Sequence, residues 1–295
     1  MEELIINTFI ILIMLFISIL TLLIYKYYNK KIESFKNSNK ICCLYAYYEK
    51  NQLYKDNFIY FLNNGILEHL DYYIVLNGKC SVQIPTKSNI IVFQRENIGY
   101  DFGAFSYSIQ RINKNYDYYF FLNTSVLGPL WKTNYENSIK DWTIPFLKLF
   151  NKDDIVLVGT SINILTNNNV GIYNLKKIYG KSGPYSHVQS MFFCINSEYY
   201  NYLKKIKFFN ESEMNNAPKL LYIIAYKEIG LSQIAIKNGW NINSILSKYK
   251  DLDYRTLKKN INLSSGSGDP YYEGRYFGES INKYEAIFYK NNRNF

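Results

Sequence analysis

Histidine is almost missing from this chain: His69 and His187 are the only two in 295 residues. The four cysteines, Cys42, Cys43, Cys80 and Cys194, form no C-x-x-C and no Cys/His pattern. A structural zinc site therefore lacks its ligands, and buried thiols in a reducing compartment fit better. There is no G-x-G-x-x-G and no G-x-x-x-x-G-K-[ST], so neither a dinucleotide site nor a Walker-type nucleotide site is supported. No basic run is long enough to serve as a nucleic-acid arm. The formal charge of +10 then reads as a solvated lysine-rich surface, or as attraction to membrane headgroups or phosphate, and no nucleic-acid partner is expected.

Charge is also missing from Leu4 to Ile24, twenty-one residues in a row. At about 1.5 Å per residue such a helix is roughly 30 Å long, the thickness of the hydrocarbon layer. Glu2 and Glu3 precede it and Lys26, Lys30 and Lys31 follow it. A cleaved signal peptide would begin with positive charge and have a shorter apolar core. The segment is expected to be a retained transmembrane anchor. The lysines on its C-terminal side keep the body in the cytoplasm by the positive-inside rule. The sequons at Asn123, Asn210 and Asn262 would permit a lumenal body, but such tripeptides arise by chance in an Asn-rich chain. The expected division is a flank over 1–3, an anchor over 4–24, a polar stalk over 25–39 and one soluble domain over 40–295.

The chain is 48% apolar, enough for a folded core. "ICCLYAYY", "YYIVLNG", "NIIVFQ", "YDYYFFL" and "DIVLVGT" read as strands. "NQLYKDNFIYFLNNG" and "DFGAFSYSIQRIN" read as helices, with Leu53, Ile59, Leu62 and Ile66 on one apolar face and Phe105, Ile109 and Ile112 on the other helix's face. Alternation of this kind predicts a mostly parallel sheet covered on both faces. Ligands of such sheets sit at the carboxyl ends of strands, near helix N-termini. Asn77, the run Arg95 to Asp101, and Asn123-Thr124-Ser125 all fall there. Asp101 heads its helix, so it is either an N-cap or a ligand contact. Gly99 and Gly103 would let the backbone approach a ligand, and the helix N-terminus favours an anion.

In this order the segments "RENIGYDFGAF", "YDYYFFLNTSVLGP", "VLVGTSIN", "HVQSMFFCINSE", "KEIGLSQIAIKNGWNI" and "GDPYYEGRYFG" resemble the nucleotide-sugar-dependent glycosyltransferases of the GT-A fold. The likeness is to a bacterial, algal and viral branch related to rhamnan-synthesis-type proteins, and it runs from about Lys40 onward. It implies a Rossmann-like α/β domain behind the N-terminal helix. The implied activity is transfer of a hexose or deoxyhexose from a nucleoside diphosphate sugar to a glycan, lipid-linked or protein acceptor.

The resemblance also implies roles. The donor would lie over Asn77, Arg95, Asn97, Gly99, Asp101, Asn123, Thr124 and Ser125. Where the family carries Asp-x-Asp on a divalent metal, this chain has Asn-Thr-Ser. Neutral oxygens bind Mn²⁺ or Mg²⁺ far less well than carboxylates. Asn123 and Ser125 are thus expected to hold a metal weakly, with help from Asp101 or Asp269. Otherwise Arg95, Arg275 and helix dipoles neutralise the diphosphate. Asn-Thr-Ser is equally read as a plain strand-ending turn.

Glu228, expected in the first turn of a helix, stands where the inverting pattern places its base, although the usual second acid is Ile229. The dipole alone would also favour a glutamate there, and retention is the alternative outcome. His187 and Gln189 are expected on one face of a single strand over "HVQSMFFCIN", contacting acceptor or phosphate, unless His187 is structural. The loop carrying Asp269 and Arg275 is either a lid or a segment that packs its tyrosines on the domain. The rival to catalysis is an inactive, membrane-tethered glycan-binding or scaffold protein on a transferase-like fold.

Overall fold

The computed structural model describes residues 2–131, 141–266 and 268–293. Met1 of the expected flank, and residues 132–140, 267, 294 and 295 of the expected soluble domain, lie outside them. The chain divides into two units, Met1–Lys40 and Ile41–Phe295.

The first unit is a helix, α1 (Glu2–Ser38). Its stretch Ile6–Tyr27, 22 residues with mean hydropathy 2.8, is long and apolar enough to cross a bilayer. The residues expected as a stalk continue this helix to Ser38.

The second unit begins with β1 (Ile41–Tyr47), α2 (Gln52–Asn64), β2 (Leu70–Asn77) and β3 (Ile90–Arg95). Helix α3 (Tyr100–Ile109) leads to β4 (Tyr118–Asn123). Next come α4 (Thr143–Leu147), β5 (Ile155–Gly159) and β6 (Ile162–Leu165). A hairpin of β7 (Asn169–Val170) and β8 (Tyr173–Asn174) precedes α5 (Leu175–Tyr179) and β9 (Tyr185–Val188). Then follow β10 (Phe192–Asn196), α6 (Ser197–Lys205) and α7 (Glu211–Asn215). One helical run comprises α8 (Leu220–Tyr222), a π-helical stretch Ile223–Glu228 and α9 (Ile229–Lys237), and β11 (Asn241–Ser244) follows it.

Seven strands form the main sheet in the order β11-β5-β10-β4-β1-β2-β3. Strand β10 is antiparallel to β4 and β5, and every other pairing in this sheet is parallel. The architecture is therefore the expected α/β type with a mostly parallel sheet. Strand β1 is buried at every position, as a strand covered on both faces must be. Cys42, Cys43 and Cys194 are buried within the sheet.

Alternation along β4 assigns its aromatics to opposite faces. Phe120 meets Trp142, Phe146 and Phe192 on one side. Phe121 meets Phe105 of α3, Phe193 and Phe209 on the other. Helix α2 covers the first face. Asn51 caps it by accepting from Tyr54 N–H (3.1 Å), and Phe58 and Phe61 pack on Tyr45 at 5.0 and 4.8 Å. The face it buries is thus Asn57, Phe58 and Phe61, while the expected Leu53, Ile59, Leu62 and Ile66 stay half-buried. The larger rings win the core side because they bury more apolar area.

One strand expectation is corrected. "HVQSMFFCIN" is two strands: β9 ends at Val188 and pairs only with β6 as a separate ladder, and β10 starts at Phe192. The chain breaks between them because the helical run competes for its backbone. Val188 N–H donates to Ser232 Oγ (2.9 Å) and Ser190 N–H to Glu228 Oε1 (3.3 Å). His187 and Gln189 therefore do not share a strand face with Met191 and Phe193.

The Phe121 ring stacks 4.4 Å from Phe193 and 5.5 Å from Phe209, with no solvent exposure. Phe121→Ala should lower unfolding stability by about 3–5 kcal/mol, the range for a buried ring replaced by a cavity. Urea unfolding of the full chain in detergent checks this, and a loss below about 1 kcal/mol would contradict the packing described.

Candidate functional site

Strand β1 is a switch point. The chain leaves it toward β2 and β3 on one side and returns to β4 on the other. Helices on either side of such a point diverge and leave a crevice at the carboxyl ends of the strands. A cleft of about 520 Å³ opens there. Tyr48 and Lys50 follow the end of β1, Asn77 ends β2 and Asn123 ends β4, and all four border it. Tyr54, Asn97, Tyr100, Asp101, Thr124, Ser125, Ser190 and Glu228 complete its polar lining.

Asp101 is the second residue of α3, not its cap. The cap position is Gly99, at φ +73°, with no side-chain hydrogen bond. Freed from capping, Asp101 turns to the cleft. Its Oδ2 accepts from Asn123 Nδ2 at 2.9 Å and its Oδ1 from Phe102 N–H at 2.9 Å. Burial, then the nearby Glu228 carboxylate, push it up to about 6, although the hydrogen bonds from Asn123, Phe102 and Ser190 pull the other way.

Glu228 is the last residue of the π-helical stretch and lies in the middle of the helical run, not in a first turn. The expected dipole contribution is therefore absent, since eight residues of the run precede it. A π-turn in an otherwise α-helical run often marks a functional position. The stretch is tied down from beneath: Lys227 Nζ donates to the Phe208 carbonyl (2.7 Å) and to Glu213 Oε2 (2.9 Å). Burial raises the Glu228 carboxyl, and the cations Lys290 and Arg293 work against that rise.

Those two cations belong to a second cluster beside Glu228. Asp269 Oδ2 accepts from Lys290 Nζ at 2.9 Å and Arg293 Nε at 3.0 Å. Burial would raise Asp269, but Lys290, Gln189 and the Tyr271 N–H overcome it and hold Asp269 at about 2. His187 is buried, with Nδ1 2.9 Å from the Tyr185 carbonyl, and burial pushes it down to about 4. Gln189 Oε1 accepts from Ser161 Oγ at 2.6 Å. Arg275 stacks over Tyr272 (5.2 Å), outside the cleft lining. The loop around them buries Tyr271 and Tyr276, so among its described residues it packs on the domain, the plainer of its two expected behaviours.

Three donor-side expectations land elsewhere. Arg95 points into the protein: its Nη1 donates to Asn77 Oδ1 (3.1 Å) and the Ile98 carbonyl (2.8 Å). It serves the turn before α3 by giving the part-buried Ile98 carbonyl a donor. Gly99 and Gly103 serve the same turn. A Cβ on Gly103 would lie 2.1 Å from the Ile98 oxygen, and one on Gly99 3.0 Å from the Met214 oxygen.

The Asn-Thr-Ser turn is internally satisfied. Asn123 Oδ1 accepts from Ser125 N–H (2.9 Å) and Ser125 Oγ (2.6 Å), while its Nδ2 holds Asp101. Asn123 and Ser125 thus do not fit as a metal-ligand pair, since each is the other's partner. No group of three His, Cys, Asp or Glu able to hold a metal occurs among the described residues. Asp101 remains as a carboxylate in the cleft beside Glu228, and one carboxylate plus a ligand's phosphate oxygens and waters suffice for an ion of the Mg²⁺ type.

The sequence reasoning overlooked Tyr48, Lys50, Tyr54, Tyr100 and Ser190 in the cleft, and Lys290 and Arg293 beside it. Lys50 had a signal, because it follows a strand end as Asn77 and Asn123 do. Lys290 and Arg293 had none, since only the tertiary return of the chain brings them to Asp269. His69, the other histidine, lies 3.1 Å from Asp141.

No protein-family model and no curated protein matches the chain by sequence. Among solved structures it is similar to the mannosyltransferase PcManGT from Pyrobaculum calidifontis, in complex with GDP-Man and Mn²⁺. The identity is 7%, the TM-score 0.41, and the match covers 70% of this chain and 54% of that one. It is also similar to the galactosyltransferase LgtC in complex with donor and acceptor sugar analogues, at 11% identity and TM-score 0.36, over 75% of this chain and 84% of that one. A third is the glucosyl-3-phosphoglycerate synthase from Mycobacterium tuberculosis with Mn²⁺, UDP and phosphoglyceric acid, at 12% identity and TM-score 0.33, over 58% and 60%. This chain thus spans about half of the mannosyltransferase it resembles.

The raised Asp101 carboxyl carries a sign that can be measured. Its folded value of about 6 lies above that of an ordinary aspartate, so its contribution to stability is full below the unfolded value and is lost as pH rises through the folded one. Asp101→Asn removes this loss. The variant should melt above the parent near about pH 7.5 and show no advantage below about pH 4. A variant no more stable than the parent at the higher pH would remove the burial argument.

Proposed function

We propose that the second unit is a glycosyltransferase of the GT-A type that takes a nucleoside diphosphate sugar as donor. The observation that carries this reading is the convergence of Asp101, Asn123 and Glu228 on one cleft at the switch point of a parallel sheet. Three tyrosines, Tyr48, Tyr54 and Tyr100, line it and offer faces for a base or sugar ring. Asn77 and Asn97 offer amides for hydroxyls, and Lys50 is the only cation lining the cleft among the described residues.

In this reading Lys50 meets the diphosphate as a point charge. A divalent ion accompanying that diphosphate would be held by Asp101 and would neutralise the leaving group. Glu228 is the base. Burial raises its carboxyl while Lys290 and Arg293 oppose that rise, and a raised carboxylate is a stronger base than an ordinary glutamate, suited to take the acceptor hydroxyl's proton. The acceptor oxygen then bonds to the anomeric carbon as the bond to the diphosphate oxygen breaks, which inverts the configuration. The transferred group is a hexose or deoxyhexose, and the acceptor a glycan, lipid-linked or protein hydroxyl. The anchor would be α1, with the lysine-flanked side and the body in the cytoplasm.

The rival reading, a non-catalytic glycan-binding body, draws support from the internally satisfied Asn123–Ser125 turn. Turnover separates the two. Glu228→Gln should lower kcat by roughly 10²–10⁴-fold while nucleotide affinity stays the same, and full activity would remove Glu228 as base. Lys50→Met should weaken nucleoside diphosphate binding about tenfold or more, measured by titration calorimetry on the full chain in detergent. An unchanged affinity would place the diphosphate elsewhere.

A further inference from the structure

The cleft has an unusual lip. On its side formed by the helical run, Leu220, Ile223 and Ile224 border the opening. Leu220 is 49% exposed and its neighbour Leu221 43%. Against Leu221 rests the turn of the β7–β8 hairpin: a Cβ on Gly171 would lie 2.5 Å from Leu221 Cδ1. The hairpin's tip is Ile172, 89% exposed. Beneath these apolar tips sit three tyrosines, Tyr222 stacked 4.6 Å from Tyr226 and Tyr173 edge-on to it at 5.5 Å.

Cations dominate the exposed charge of the lip. The segments 169–181 and 214–227, which build it, contain no Asp or Glu. Exposed Lys176 and Lys177 follow the hairpin directly, Lys181 is exposed just beyond α5, and exposed Lys219 precedes Leu220. The nearby Glu213 is already engaged by Lys227 Nζ (2.9 Å) and Tyr222 OH (2.6 Å), so it does not neutralise these lysines.

We infer that this lip docks on the surface of an anionic lipid bilayer. Exposed aliphatic tips enter the headgroup boundary, tyrosines sit at its level, and lysines meet lipid phosphates. A protein partner would be expected to offer carboxylates fixed in position, whereas four lysines spread over two segments suit a diffuse negative surface. Since α1 has the length and apolarity to hold the chain at a membrane, a bilayer is the surface this lip would meet. Docking does not depend on what the cleft binds. Combined with the transferase reading, on which this last step rests, it selects the lipid-linked class of acceptor, because the opening beside Leu220 would face lipid.

The test uses the full chain in vesicles, where α1 alone cannot report on the lip. Cys80 is replaced by Ser, and Ile172→Cys is labelled with a nitrobenzoxadiazole fluorophore. In phosphatidylglycerol vesicles the emission should shift to shorter wavelength and be at least halved by doxyl-labelled lipid. Both effects should fade in pure phosphatidylcholine and in high salt. They should also be lost in the Lys176→Glu, Lys177→Glu, Lys219→Glu variant. The salt arm needs no variant, so a charge-reversed chain that fails to reconstitute does not shield the proposal. Water-like emission in both lipids overturns docking. Equal shifts in both lipids overturn the charge argument, and a shift that grows with protein-to-lipid ratio assigns the lip to a second copy of the chain. Donor binding is not read at any point, so this result and that of Glu228→Gln fail separately.

Discussion

The double parallel pairing of β1, with β2 on one edge and β4 on the other, is the constraint from which the site follows. The register sets Ala46 beside both Val75 and Asn123. The ends of three strands therefore reach one rim, and the residues just past them face the same opening. Because β1, β2 and β4 are buried over nearly their whole length, a slip of one residue would send every ring into the opposite packed layer, which is shaped for other side chains. The polar rim is thus positioned by apolar packing beneath it, a precise arrangement for groups that must hold a ligand.

The rim itself works against stability. Two carboxylates, Asp101 and Glu228, share a partly enclosed space, and burial raises both. A fold with no use for them would be expected to replace one with an amide or an alanine. The compensation is indirect. Asp269 gathers Lys290 and Arg293 next to Glu228, so a buried acid that is not itself part of the cleft lining adjusts the charge balance of one that is. Local cost at a site, offset by a supporting layer of charge, is a common pattern in functional regions.

Much of this was legible in the residues. Alternating apolar runs and glycine-punctuated turns marked the strands and helices, and small polar residues at strand ends marked Asn77, Asp101 and Asn123. What escaped was decided by tertiary contact. Arg95 reads as a free cation beside a helix N-terminus, yet the Ile98 carbonyl and Asn77 claim it. The β9–β10 break carries no Gly, Pro, Asn or Asp, only Ser190, because side chains of a distant helix supply the hydrogen bonds that interrupt the strand. Asp101 reads as either a cap or a ligand contact, and the left-handed Gly99 takes the cap position. Glu228 reads as a first-turn residue because no local pattern signals a π-helical stretch before it.

That stretch has one more consequence. A π-turn holds a residue beyond what an α-turn needs, so the faces before and after it are offset by about 100°. Leu220 and Ile224 can look outward to the opening, while Leu231, Ala235 and Ile236 look inward to the core. A continuous α-helix would align these two sets on rows that serve one surface. The surplus residue works as a twist in a rod, letting a single element be floor on one half and doorway on the other, with the glutamate at the join.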